Sequence, residues 1–259
     1  MSGMDWTILA PAFVAGLIVL STHVPLGQEV LKRGIIFIDL AIAQVAGLGV
    51  IAAHAMQWDP DGFEVQIAAV SAALLAAVGL NWTEKRWPGI QEPLIGVLFI
   101  LAATGGVLLL AGNPHGGEHL KELLIGQILW TTWDDLWPIA LLYAVVLTVW
   151  FVLRPRFGVL TFYLAFAVVV TASVQIVGIY LVFASLIIPA LTTTGLRRGS
   201  RLMAGYMVGA ASYVIGIIAS FYLDLPTGAV IVWTMAIIAL AVGLFISDKS
   251  NPGRATRED

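Results

Sequence analysis

Six side chains in this 259-residue chain combine ligand chemistry with suggestive spacing. Asp39 and Gln44 lie inside the apolar run "GIIFIDLAIAQVAGLGVIAAH", which ends on His54. His115, Glu118 and His119 lie in "PHGGEH", where a helical turn would let them converge on a metal, although Gly116 and Gly117 oppose such a turn. An acid at mid-membrane costs on the order of 3 kcal/mol, so Asp39 must face protein or water. It serves either as a carboxylate on an ion path or as the partner of a basic or hydrogen-bonding group on a neighbouring helix. Gln44 and Gln175 can bond between helices or line the same path. Gln44 is rotated roughly 140° from Asp39 on an ideal helix, so the two need not share a face. His54 is either a receiver for an ion passing from the 115–119 loop or an interfacial histidine, and His23 is read as structural. Asp134 and Asp135 cap the start of an apolar run or attract cations.

The elements that hold these residues are membrane spans. Hydrophobic residues make up 59% of the chain and charged ones 11%, with a mean hydropathy of +0.94, whereas soluble domains carry about 25% charged residues. A span needs roughly 20 apolar residues. The runs 6–22, 34–56, 65–82, 93–112, 136–153, 159–191, 202–223 and 228–246 qualify or nearly so. The expected fold is therefore all-α, a polytopic helical bundle of about eight or nine spans. It forms a single transmembrane domain, 1–247, followed by a tail, 248–259. The segment "LKELLIGQILWTTW" is apolar but short and reads as an interfacial or re-entrant helix. Trp6, Trp58, Trp82, Trp87 and Trp133 fall where interface aromatics belong.

Charge in the connectors sets orientation. Lys32/Arg33, Lys85/Arg86 and Arg154/Arg156 occupy alternate connectors, which places those on the cytoplasmic side. Arg197, Arg198 and Arg201 then conflict with a single crossing by 159–191. Two crossings remove the conflict. That run is longer than one span requires, and Gly178 offers a break, with Pro189 as a second hinge candidate. A tight pair of short spans or a broken helix is expected there. All of the 13 Lys and Arg except Lys121 then face the cytoplasm, with the amino terminus outside and the carboxyl tail inside.

Several classes are excluded. No cysteine is present, so disulfide, zinc–thiolate and thiol chemistry are absent. No GxxxxGK[ST], HExxH or GxSxG motif occurs, so the chain is not expected to be an enzyme or to hydrolyse ATP itself. The net charge of −3 and scattered basic pairs do not suit nucleic acid.

Three stretches carry a family resemblance. "PLGQEVLKRGIIFIDLAIAQVAGLGV", "VVVTASVQIVGIYLVFASLIIPALTTTGLRR" and "YLDLPTGAVIV", with "EPLIGVLFILAATGGVLLL" between the first two, resemble the permease subunits of bacterial ABC importers for zinc, manganese and iron. The resemblance implies a homodimer in the cytoplasmic (inner) membrane. It also implies a separate ATPase subunit supplying ATP hydrolysis, an extracytoplasmic metal-binding protein, a transported divalent metal and no cofactor in this chain. Asp39 matches the family's early acid, and the residues above form the implied metal path. Two departures stand out. The family histidine one turn after the acid is Ala43 here, and the ATPase-facing loop is reduced to "RPRFG", containing Arg154, Arg156 and Phe157. An ATPase-independent transporter or channel on the same fold, or a scaffold subunit, are the alternatives.

Overall fold

A computed structural model describes residues 6–56, 58, 62–110, 121 and 123–250, the side chains at 154, 155, 157, 198 and 244–250 excepted. Among the described residues, eight long helices carry the fold. They are α1 (Trp6–Arg33), α2 (Ile38–Ala55), α3 (Phe63–Arg86), α4 (Gln91–Leu110), α5 (Trp133–Phe157), α6 (Val159–Thr192), α7 (Arg198–Leu223) and α8 (Thr227–Ser250). Seven are long and apolar enough to cross a membrane by themselves, and 227–243 of α8 forms a shorter apolar helix. A polytopic helical bundle is what the composition called for.

The central element is α6, whose 34 residues are mostly buried. Its backbone leaves the helical region at Gly178 (φ 77°, ψ 163°), a conformation open to glycine and hostile to other residues. The packing shows that the chain doubles back there. Near the start of α6, Phe162 lies 4.9 Å under the Arg33 guanidinium. Near its end, the Leu186 carbonyl and Ala190 fill the space where Gly27 of α1 would carry a side chain. Gly27 and Arg33 are about 9 Å apart along α1, whereas Phe162 and Leu186 would be about 36 Å apart on a straight helix. The segment is therefore a helical hairpin with an outgoing arm (159–177) and a return arm (179–192). Counting both arms, the described residues form nine long helical segments. Pro189, the other hinge candidate, sits buried in the return arm, where the backbone stays helical.

Each arm is fastened by a tyrosine–serine pair. Tyr143 of α5 bonds Ser173 on the outgoing arm, and Tyr213 of α7 lies 2.9 Å from Ser185 on the return arm. Around the hairpin, α1, α2, α3, α5 and α8 make the main contacts. A cluster rich in Ala, Val and Ile fills the centre, with small side chains that let helices approach closely.

The doubling back settles the charge conflict. α7 runs antiparallel to α1, with Gly205 against Val24 and Gly209 against Leu20, and the Tyr206 hydroxyl donates to the Ser21 carbonyl at 3.1 Å. The turn with Arg197 and Arg201 thus lies at the same end of the bundle as Lys32 and Arg33. Arg33 also meets Glu84 at 3.3 Å, beside Lys85 and Arg86. Every described Lys and Arg except Lys121 belongs to this basic face.

The connector before α5, where an interfacial or re-entrant helix is expected, is described only in part. Among the described residues it is helical at Lys121 and from Leu123 to Ile125, leaves the helical region at Gly126 (φ 71°) and continues in the 3-10 turn Ile128–Trp130. The bend follows from tertiary packing, because the Gly126 backbone lies against the Val177 and Gly178 peptides at the hairpin tip. A Cβ at either glycine would overlap the opposing main chain.

Candidate functional site

Asp39 is set by the turn between α1 and α2. Gly34 (φ 69°) reverses the chain, the amides of Gly34 and Ile35 donate to the Leu31 and Val30 carbonyls, and α2 begins at Ile38. The Glu92 carboxylate accepts from the Phe37 amide at 3.2 Å, holding the start of α2 against the start of α4. Asp39 therefore occupies the first turn of α2, at the basic face, where the helix terminus favours negative charge.

Its environment bears on the two readings of this acid. Asp39 is fully buried, and neither carboxylate oxygen has a hydrogen-bond partner among the described residues. The adjacent basic residue, Arg33, is engaged by Glu29 at 3.0 Å and Glu84 at 3.3 Å. A donor-free ionised carboxylate in apolar surroundings is costly. No described protein group competes with an arriving cation for its two oxygens. Ala43, one turn on, is also fully buried, so a methyl group stands where imidazole would.

Gln44 is half-buried and makes no hydrogen bond among the described residues. It lines a cavity of about 20 Å³ with Gly47, Ile51, Ala102, Gly106 and Ile179. That volume suffices for one water-sized species. Ile179 is the first residue past the hairpin tip, so this cavity lies beside the Gly178 break. His54 lies in the last turn of α2, half-buried, about 22 Å along the helix from Asp39. Asp39 and His54 thus cannot bind one ion together. Gln175 and Tyr180 flank the break and are the only exposed side chains between 159 and 190. Gln175 is not brought to Asp39 by any contact described.

The remaining candidates fall elsewhere. His115, Glu118 and His119 lie outside the described residues. No group of three or more His, Cys, Asp and Glu able to hold a metal occurs among the described residues. The expected loop at Arg154–Phe157 is instead the last turn of α5, so only Gly158 (φ 57°) separates α5 from α6. Arg156 is exposed there. Asp135 accepts from the Thr132 amide at 2.9 Å and its hydroxyl at 2.7 Å, which is helix capping. His23 is buried, its Nδ1 2.8 Å from the Val19 carbonyl within its own helix.

Sequence reasoning missed a polar layer at the basic face. Arg33 lies between Glu29, Glu84 and the Phe162 ring. Beside it, Gln91 donates to the Leu80 carbonyl at 2.9 Å and to Tyr163 at 3.2 Å, and accepts from Thr83 at 2.9 Å. Only Glu29 and Arg33, four apart, were readable as a pair. The other partners come from distant segments.

Comparison with known proteins agrees with this architecture. Residues 5–169 and 153–246 match the ABC 3 transport family. The manganese transport system membrane protein MntC of Halalkalibacterium halodurans is 27% identical over 95% of this chain and 89% of its own length. A Haemophilus influenzae protein named "Probable iron transport system membrane protein" is 25% identical over 69% of this chain and 71% of its own. Among solved structures, PsaBC from Streptococcus pneumoniae in complex with Fab shares the fold with a TM-score of 0.71 at 22% identity. That match covers 92% of this chain and 91% of the other. With nearly its whole length matched and a nine-segment bundle built around a doubled-back helix, the chain belongs to the ABC 3 transport family.

Proposed function

We propose that the chain is the membrane subunit of a bacterial importer for a divalent transition metal, manganese, iron or zinc, working as a homodimer in the inner membrane. A separate ATPase subunit drives it and an extracytoplasmic metal-binding protein delivers the ion. In this reading the single permease domain 1–247 has its basic face and its tail, 248–259, in the cytoplasm and its amino terminus outside, which the distribution of Lys and Arg supports. The observation that carries this reading is the buried, donor-free carboxylate of Asp39 in a chain of this family. The names of the relatives favour manganese and iron. Asp39 is the principal station of the path; Gln44, His54 and Gln175, with the 115–119 loop at the outer mouth, are its secondary ones. Gly178 is the hinge, and the end of α5 with Arg154, Arg156 and Phe157 faces the ATPase.

The test is uptake of radiolabelled Mn²⁺, Fe²⁺ and Zn²⁺ into vesicles holding the complete transporter. Asp39→Ala should lower ATP-dependent uptake by at least about tenfold, the equivalent of 1.4 kcal/mol. Normal uptake by that variant would remove Asp39 from the path. Metal entry that persists without any ATPase would favour a channel or secondary transporter, a reading the single-residue turn at Gly158 keeps open. No entry under any condition would favour a scaffold.

A further inference from the structure

The polar layer at the basic face forms one continuous series of contacts from the α5–α6 turn to the start of α2. One helical turn beyond Gly158, Phe162 carries the Arg33 guanidinium at 4.9 Å. The neighbouring Tyr163, fully buried, accepts from Gln91 at 3.2 Å. Gln91 is buried with its amide satisfied at both ends, by Tyr163 and the Leu80 carbonyl on one side and Thr83 on the other. The next residue, Glu92, holds the Phe37 amide, two positions before Asp39. Four helices therefore meet through polar groups that depend on this arrangement, and displacing α6 takes the buried Tyr163 hydroxyl away from Gln91. Unpaired buried groups cost far more than a hydrogen bond contributes.

We propose that Arg33, Tyr163 and Gln91 are positioning residues that couple the α5–α6 turn to the first turn of α2, so that movement imposed at the turn is transmitted to Asp39. This rests on the importer reading, in which the turn faces the ATPase. Arg33 supplies a rigid contact, because its planar group stacks on Phe162 while both carboxylates hold it. Tyr163 and Gln91 supply the directional link to α4 and from there to α2.

The experiment compares Mn²⁺ transported with ATP hydrolysed in the complete transporter carrying Tyr163→Phe, Arg33→Lys or, as a control away from the layer, Thr148→Ala. In Tyr163→Phe, Mn²⁺ transported per ATP should fall about fivefold, the scale of one lost hydrogen bond, with hydrolysis kept within about twofold. Arg33→Lys, which keeps the charge and loses the planar stack, should shift the ratio in the same direction. Thr148→Ala should not move it. An unchanged ratio in both layer variants overturns the proposal, as does a proportional loss of transport and hydrolysis, which marks a merely structural role. A wild-type complex without metal-dependent ATP hydrolysis overturns the importer reading itself, and the relay with it.

Discussion

Asp39 and Ala43 lie one helical turn apart on the buried side of α2, and this pair makes the most direct residue-scale prediction. Ala43→His would restore a nitrogen ligand beside the carboxylate, which suits zinc better than manganese. The variant should raise apparent zinc affinity about tenfold over that for manganese, measured by competition in the uptake assay. Because position 43 has no free surface, the larger ring should also cost about 1–3 kcal/mol of stability. Melting in detergent should show that loss, and added zinc should recover part of it. The acid itself was legible in the sequence, since a carboxylate in an apolar run has few roles. Its lack of a partner was not legible, because Arg33 lies only six residues away and could have paired with it. What removes Arg33 is Glu84, 51 positions further along, and no local pattern announces that contact.

Among the elements, the hairpin was the most readable and the 121–132 connector the least. Two facts of the sequence pointed to the hairpin: a run too long for one span and three arginines on the wrong side of a single crossing. The apolar composition of the connector suggested a helix but gave no sign of the bend at Gly126, which the hairpin tip packed on it imposes. The same contact predicts that Gly126→Ala and Gly178→Ala each destabilise the protein by more than the roughly 1–3 kcal/mol of an unfavourable backbone conformation, since each adds a main-chain overlap. Thermal unfolding of the purified variants checks this, and a loss below 1 kcal/mol would mean that the tip relaxes away from the connector. Gly34→Ala provides the contrast. It has a positive φ but open space around it, so only the conformational cost should appear.

At the scale of the whole molecule, charge and aromatic side chains define two faces. Trp6, Trp130, Trp133 and Trp137 are exposed at the amino-terminal end of α1 and around the start of α5, whereas Trp82 and Trp87 are exposed at the basic face. Tryptophans at both levels fit an interfacial belt. The absence of cysteine makes orientation simple to test. Ser200→Cys in the first turn of α7 at the basic face and Asp224→Cys in the α7–α8 turn each place one thiol at an exposed position. A membrane-impermeant maleimide applied to intact cells should label Asp224→Cys and spare Ser200→Cys. The reverse pattern would invert the assigned topology.

The return arm of the hairpin also bears on how the protein is made. Its 14 helical residues reach about 21 Å, short of the roughly 30 Å of hydrocarbon in a bilayer. It is therefore a poor insertion signal for the translocon when it emerges alone, and it enters the bilayer only together with the outgoing arm. Every crossing synthesised afterwards takes its direction from that joint step, so failure to turn at Gly178 during biogenesis would send α7 and α8 across the membrane with the wrong polarity.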